Sequence, residues 1–169
     1  MGETIFPPCA PFEAEKKSLG AARRDFSHFA FGGEVEDFDE QLERLKTTQD
    51  NFERNHLAMD LATTRRPEVL EVLIDLIRRP DLKNNRGTLV YSLEPYDCRS
   101  HLSFLVKSLP KGNWEVAHGA ALIIMNLLPL NQAEFEFLRA SYDELMAVTF
   151  SDHWRNDLIS DLSADLRVW

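Results

Sequence analysis

The sequence predicts an all-α fold, a short solenoid of antiparallel helix pairs. Three observations carry this. Apolar residues recur at three- and four-residue steps from Glu34 onward. Pro67, Pro80, Pro95, Pro110, Gly112 and Pro129 cut these runs into helix-sized pieces. Leu61, Leu93 and Leu127 hold comparable late positions in their helices, 32 and 34 residues apart, a spacing at which helix pairs stack into solenoids. Gly87 and Gly119, also 32 residues apart, each sit early in a helix, where a missing side chain lets two helices approach closely. The same helices also permit an irregular bundle.

The chain has 169 residues, of which 44% are hydrophobic and 28% charged, enough for one folded domain with a sizeable core. Residues 1–33 differ from the rest. They hold Pro7, Pro8, Pro11, Gly20, Gly32 and Gly33, which argue against long regular elements, and five phenylalanines, which argue against a fully solvated tail. They read as an irregular arm packed partly onto a helical-repeat domain of residues 34–169.

The first helix carries Val35, Phe38, Leu42 and Leu45 on one face. A second starts near Gln49 with Phe52, Leu57 and Leu61 as its apolar positions. "RPEVLEVLIDLIRRP" opens on Pro67, suited to a first turn, and stops before Pro80. "NNRGTLVYSLE" reads as a short helix capped by Asn84 or Asn85, with "PYDC" the turn that leaves it. "RSHLSFLVKSLPKG" is the next helix, ending at Pro110 and Gly112. "NWEVAHGAALIIMNLLP" is apolar nearly all round and so belongs at the centre. Two more helices follow Pro129.

Net charge is −9, and it is concentrated. Residues 34–54 and 131–169 each hold eight acids against three bases. Such a chain repels nucleic acid and anionic membrane, so a charged partner is expected to be cationic; acidity that serves solubility alone is the other reading. No apolar run reaches the roughly 18 residues of a membrane span. The N-terminal residues lack a basic start followed by an apolar stretch, so no secretory signal is read there. Cys9 and Cys98 form no CxxC pair, which fits a reducing, cytoplasmic setting.

No catalytic signature is present. The five histidines make no HExxH, and the chain has no GxSxG and no glycine-rich phosphate loop. No enzyme activity, cofactor or metal is expected. Asp157, Asp161 and Asp165 fall at four-residue steps and share one helix face beside Leu158, Leu162 and Leu166. Glu36, Glu40 and Glu43 form a similar ridge. Each is either a solvated face or a carboxylate surface that steers a basic partner. Trp114, Glu115 and His118 share the start of the central helix, and Tyr91, Glu94, Tyr96 and Asp97 cluster at the end of "RGTLVYSLEPYDC". Aromatic residues among charges serve as contact anchors, or as core fillers and helix staples.

The order Arg86–Gly87, the helix Thr88–Glu94, the turn Asp97–Cys98, the apolar helix Leu102–Leu109 and the Gly112–Val116 junction resembles the immunity proteins of bacterial polymorphic toxin systems, in particular immunity protein family thirty. The resemblance spans roughly residues 38 to 128. It implies a short α-solenoid of HEAT-like antiparallel helix pairs. It also implies a function: binding a cognate toxin domain, often a nuclease, and blocking it. Nucleases are commonly basic because they grip phosphates, which suits an acidic inhibitor. In HEAT-like proteins the second helix of each pair lines the concave side, here near Asp60, Glu94 and His118. With Tyr96, Asp97, Trp114, Glu115, Asp157 and Asp161, these are the candidate partner-binding residues. A helical-repeat scaffold with a non-toxin partner is the alternative. A DNA-processing enzyme of similar architecture would need a basic concave face, which the net charge disfavours.

Overall fold

A computed structural model describes residues 37–166. The proline- and phenylalanine-rich arm and Glu36 lie outside the described residues. Within them the chain is all-helical, with eight α-helices and no strand. These are α1 (Phe38–Thr47), α2 (Asn51–Ala62), α3 (Pro67–Arg78), α4 (Gly87–Tyr91), α5 (Leu102–Lys111), α6 (Trp114–Asn126), α7 (Gln132–Met146) and α8 (His153–Leu166). Short 3-10 turns at Pro80–Leu82 and Arg99–His101 precede α4 and α5. Among the described residues no helix is long and apolar enough to cross a membrane.

Local chemistry explains most boundaries. Asp50 starts α2 by accepting the Phe52 and Glu53 backbone N–H groups at 2.8 and 3.0 Å. Pro67 opens α3, where its missing N–H costs nothing, and Arg79 is extended ahead of Pro80. Asn113 caps α6. Asn131 and Glu134 form a reciprocal capping box on α7. Arg65, between α2 and α3, has a positive φ of 54°, a left-handed turn that costs a non-glycine residue about 1 kcal/mol.

Two boundaries differ from the sequence reading. Neither Asn84 nor Asn85 caps α4. The residue before it is Arg86, without a side-chain cap, and α4 has only five residues before irregular turns take over. What holds so short a helix is packing, since isolated helices of this length do not persist in water. α5 also runs through Pro110 to Lys111. So close to a helix end, proline removes a single hydrogen bond, and Gly112 N–H, reaching Ser108 O at 2.8 Å, closes the turn beyond it.

The helices pack as neighbours in sequence: α1 on α2, α3 on α4, α5 on α6, α7 on α8. A second set of contacts joins α2 to α4, α4 to α6 and α6 to α8, so the even-numbered helices form a continuous row. The odd-numbered row is looser: α1 meets α3 and α5 meets α7, but the backbones of α3 and α5 stay apart, bridged by the Arg78 guanidinium 5.3 Å from the Phe104 ring. Val69, Leu73, Ile74, Leu89, Leu105, Ile123 and Ile124 are fully buried between the rows. Removing one such side chain from water contributes about 2 kcal/mol. The recurring Leu61, Leu93 and Leu127 are all buried, each at or just beyond the end of an even-numbered helix.

Gly87 and Gly119 are close-approach positions between α4 and α6. A Cβ on Gly119 would stand 2.9 Å from Val90 Cγ1, and one on Gly87 would stand 2.9 Å from Glu115 Cβ. Two arginines staple distant segments. Arg99 donates to Leu127 O at 2.5 Å, to Pro129 O at 3.1 Å and to the Glu134 carboxylate at 2.7 Å. Arg155, only 6% exposed, donates to Leu109 O, to Gly112 O at 2.8 Å and to Asp152 at 3.1 Å. It thereby satisfies carbonyls that α5 leaves open at its C-terminal end.

Candidate functional site

Each even-numbered helix presents aromatic or histidine side chains to solvent. On α2, Phe52, His56, Met59 and Asp60 fall within about a quarter-turn of one another, and all four are exposed. The Phe52 and His56 rings lie 4.3 Å apart. On α4, Tyr91 is exposed, with Glu94 one turn further on. On α6, Trp114, His118 and Leu122 share a face, and Glu115 lies beside them over Gly87. On α8, Trp154, Asp157 and Asp161 share a face. Large hydrophobic side chains are exposed on α2, α4, α6 and around α7; among the described residues α1, α3 and α5 expose none.

The row is tied together at its centre by a stack that crosses from α6 to α8. Trp114 stacks on His118 with ring centroids 4.1 Å apart and planes 26° apart. His118 meets Trp154 at 5.5 Å. The Arg155 guanidinium lies 4.3 Å from the Trp154 ring and 5.8 Å from that of Phe150. His118 Nδ1 lies 2.9 Å from Trp114 O. A carbonyl can only accept, so this bond needs the proton on Nδ1 and leaves Nε2 for another partner. The stack fixes Trp114, which is still 53% exposed. A large, pre-positioned aromatic surface loses little entropy on contact. Its faces attract cations, and Glu115 and Asp157 supply negative charge nearby.

The nine candidate residues fall into three groups. Trp114, Glu115 and His118 come together on α6, and the stack joins them to the helix that bears Asp157 and Asp161. Asp60 shares the exposed face of α2 with Phe52 and His56. Glu94, Tyr96 and Asp97 lie in the turns after α4. Tyr96 is half-buried against the core, its hydroxyl enclosed without a partner, and burial pushes that hydroxyl's pKa up. The Asp97 carboxylate accepts the Arg99 N–H at 3.1 Å and pairs with its guanidinium at 3.6 Å. Asp157, Asp161 and Asp165 are all exposed, and Leu162 and Leu166 behind them are buried. On α1, Glu43 pairs with Lys46 at 2.5 Å.

Three participants were absent from the sequence-based set. Trp154 enters through contact with a histidine on another helix. Phe52 and His56 were legible in principle: an aromatic residue followed four positions later by histidine occurs on α2 and again, as Trp114 and His118, on α6. No protein-family model matches the chain, and neither does any curated protein or solved structure.

Proposed function

We propose that this chain is an immunity protein that binds and neutralises a cognate bacterial toxin domain of basic character, and that its helices form a short HEAT-like solenoid. The succession of contacts α2–α4–α6–α8 and the buried leucines at the ends of α2, α4 and α6 support the solenoid. The observation that carries the functional reading is the even-numbered row itself. Exposed Phe52, Tyr91 and Trp114 alternate along it with Asp60, Glu94, Glu115 and Asp157. Exposed rings held rigid among carboxylates suit lysine- and arginine-rich surfaces, through cation–π contact and ion pairing together. Such a protein inhibits by covering its target and performs no chemistry of its own.

The test is co-expression with the toxin-like gene nearest its own. A stoichiometric complex that protects the cell supports the reading. Neither complex nor protection, or a stable complex with a non-toxin partner instead, replaces it with a scaffold. Glu94→Lys combined with Asp97→Lys is expected to weaken the complex while the helical circular dichroism signal survives. Unchanged affinity would move the interface to the carboxylates of α8.

A further inference from the structure

Away from the aromatic face, cations gather locally between α3 and α5. The backbones of α3 and α5 stay apart, bridged by the Arg78 guanidinium 5.3 Å from the Phe104 ring, and a cleft of about 340 Å³ opens between them. Arg78, Arg86, Lys107 and Lys111 line it, and no carboxylate does. In a chain of net charge −9, four cations around one small cavity call for an explanation.

Ordinary pairing accounts for little of it. Among the described residues, Arg78 is the only one of the four with a carboxylate partner, Asp75 at 3.6 Å. The carbonyl ends of α3 and α5 favour a cation at Arg78 and at Lys111. Lys107 stands a full turn earlier on α5, and Arg86 lies outside both helices. Lys107 and Lys111 are four residues apart on one helix face, where like charges repel. Arg86 lines the cleft and donates one N–H to Arg79 O. A guanidinium carries five N–H donors, and an anion in the cleft would accept from those that Arg79 O leaves free and the cleft exposes. Ile77, Phe104 and Val116 supply an apolar wall.

We propose that this cleft binds a small phosphate-bearing anion, held by Arg86, Lys107 and Lys111. A phosphate carries about two charges at neutral pH and several acceptor oxygens, so a chain of two or three phosphates balances the cluster where a single carboxylate would not. The arginine fork and the lysine ammonium groups are both suited to phosphate oxygens. A cavity of this size sits at the small end of the range for small-molecule pockets, about 300–1,000 Å³. This site lies outside the aromatic face and is independent of any toxin.

The experiment is calorimetric titration of the full chain with inorganic triphosphate and, separately, with magnesium-free ATP, at low and at moderate salt. Saturable one-to-one binding that weakens with salt is expected. ATP binding more tightly than triphosphate marks a nucleotide ligand; equal affinities mark the phosphate chain alone. Lys107→Glu with Lys111→Glu is expected to weaken binding at least tenfold, and the milder Lys107→Gln with Lys111→Gln by a smaller factor. Arg65→Glu with Arg139→Glu, the same charge change elsewhere, is expected to leave affinity within twofold. No binding of either probe at low salt, equal affinity in the lysine variants, or tighter binding of an oligoglutamate peptide than of triphosphate would overturn the assignment.

Discussion

Replacing Arg155 by alanine tests how α8 is joined to the C-terminal end of α5. The guanidinium is buried and gives hydrogen bonds to two backbone carbonyls and one carboxylate. Hydrogen bonds from a charged donor contribute about 1.5–3 kcal/mol each in favourable cases, and neighbours in one network do not add fully. Truncation also leaves Leu109 O without its donor and removes the packing on Trp154. A loss of about 3 kcal/mol follows, within the range seen when a buried charged partner is removed. For a domain of this size that lowers the melting temperature by about 10 °C. Urea unfolding followed at 222 nm reads the change directly, with an unchanged m-value expected. Arg155→Met keeps the aliphatic stem and is expected to recover part of the loss. Arg139, which is exposed, serves as the control, at about 0.5 kcal/mol or less. A loss below about 1 kcal/mol for Arg155→Ala would show that α8 docks without the staple.

Two further outcomes follow from titratable groups. Cys98 is fully buried and its thiol pKa is pushed up to about 11, first by burial and then by nearby Asp97; peptide mapping after iodoacetamide at pH 8 is expected to find it unmodified in the native protein and modified in urea, and equal labelling in both would contradict its burial. The Thr48 hydroxyl, followed by the Arg44 guanidinium, holds the Glu53 carboxyl below its ordinary pKa by hydrogen bonding. A depressed folded-state pKa stabilises above the ordinary carboxylate value, and the benefit disappears as pH falls through the folded value. Glu53→Gln is therefore expected to flatten the decline in melting temperature below about pH 4.3, and parallel curves for the two proteins would refute the contribution.

The helices whose ends are written locally were legible in the sequence. Pro67, Asn113 and Asn131 each supply their own start, and α3, α6 and α7 begin where those residues place them. α4 was legible as a short helix, but its ends were not, because what holds them is tertiary. Gly87 against Glu115 and Gly119 against Val90 hold it, and neither contact is visible in a local window. Phe52 was counted with the apolar positions of α2, yet it is 75% exposed; residue type alone does not say which side of a helix faces water. Within the candidate site, Trp114 and His118 follow from spacing along one helix. Trp154 does not, since it reaches His118 from a separate helix. The cationic cleft was hidden for a similar reason. Its charges come from α3, α5 and the residue before α4, so a running charge count averages them away.

We propose that the aromatic and acidic face of the even-numbered helices binds a basic toxin domain. The most direct test is titration of the purified toxin domain against the native chain and against Trp114→Ala with Asp157→Lys. The two changes lie on helices joined by the ring stack and leave the core untouched. A one-to-one complex that weakens at least a hundredfold in the variant is the predicted result, since an anchoring tryptophan and a facing charge each contribute about 1–2 kcal/mol or more at a contact centre. Equal affinity of both proteins, with the helical signal intact, would contradict it.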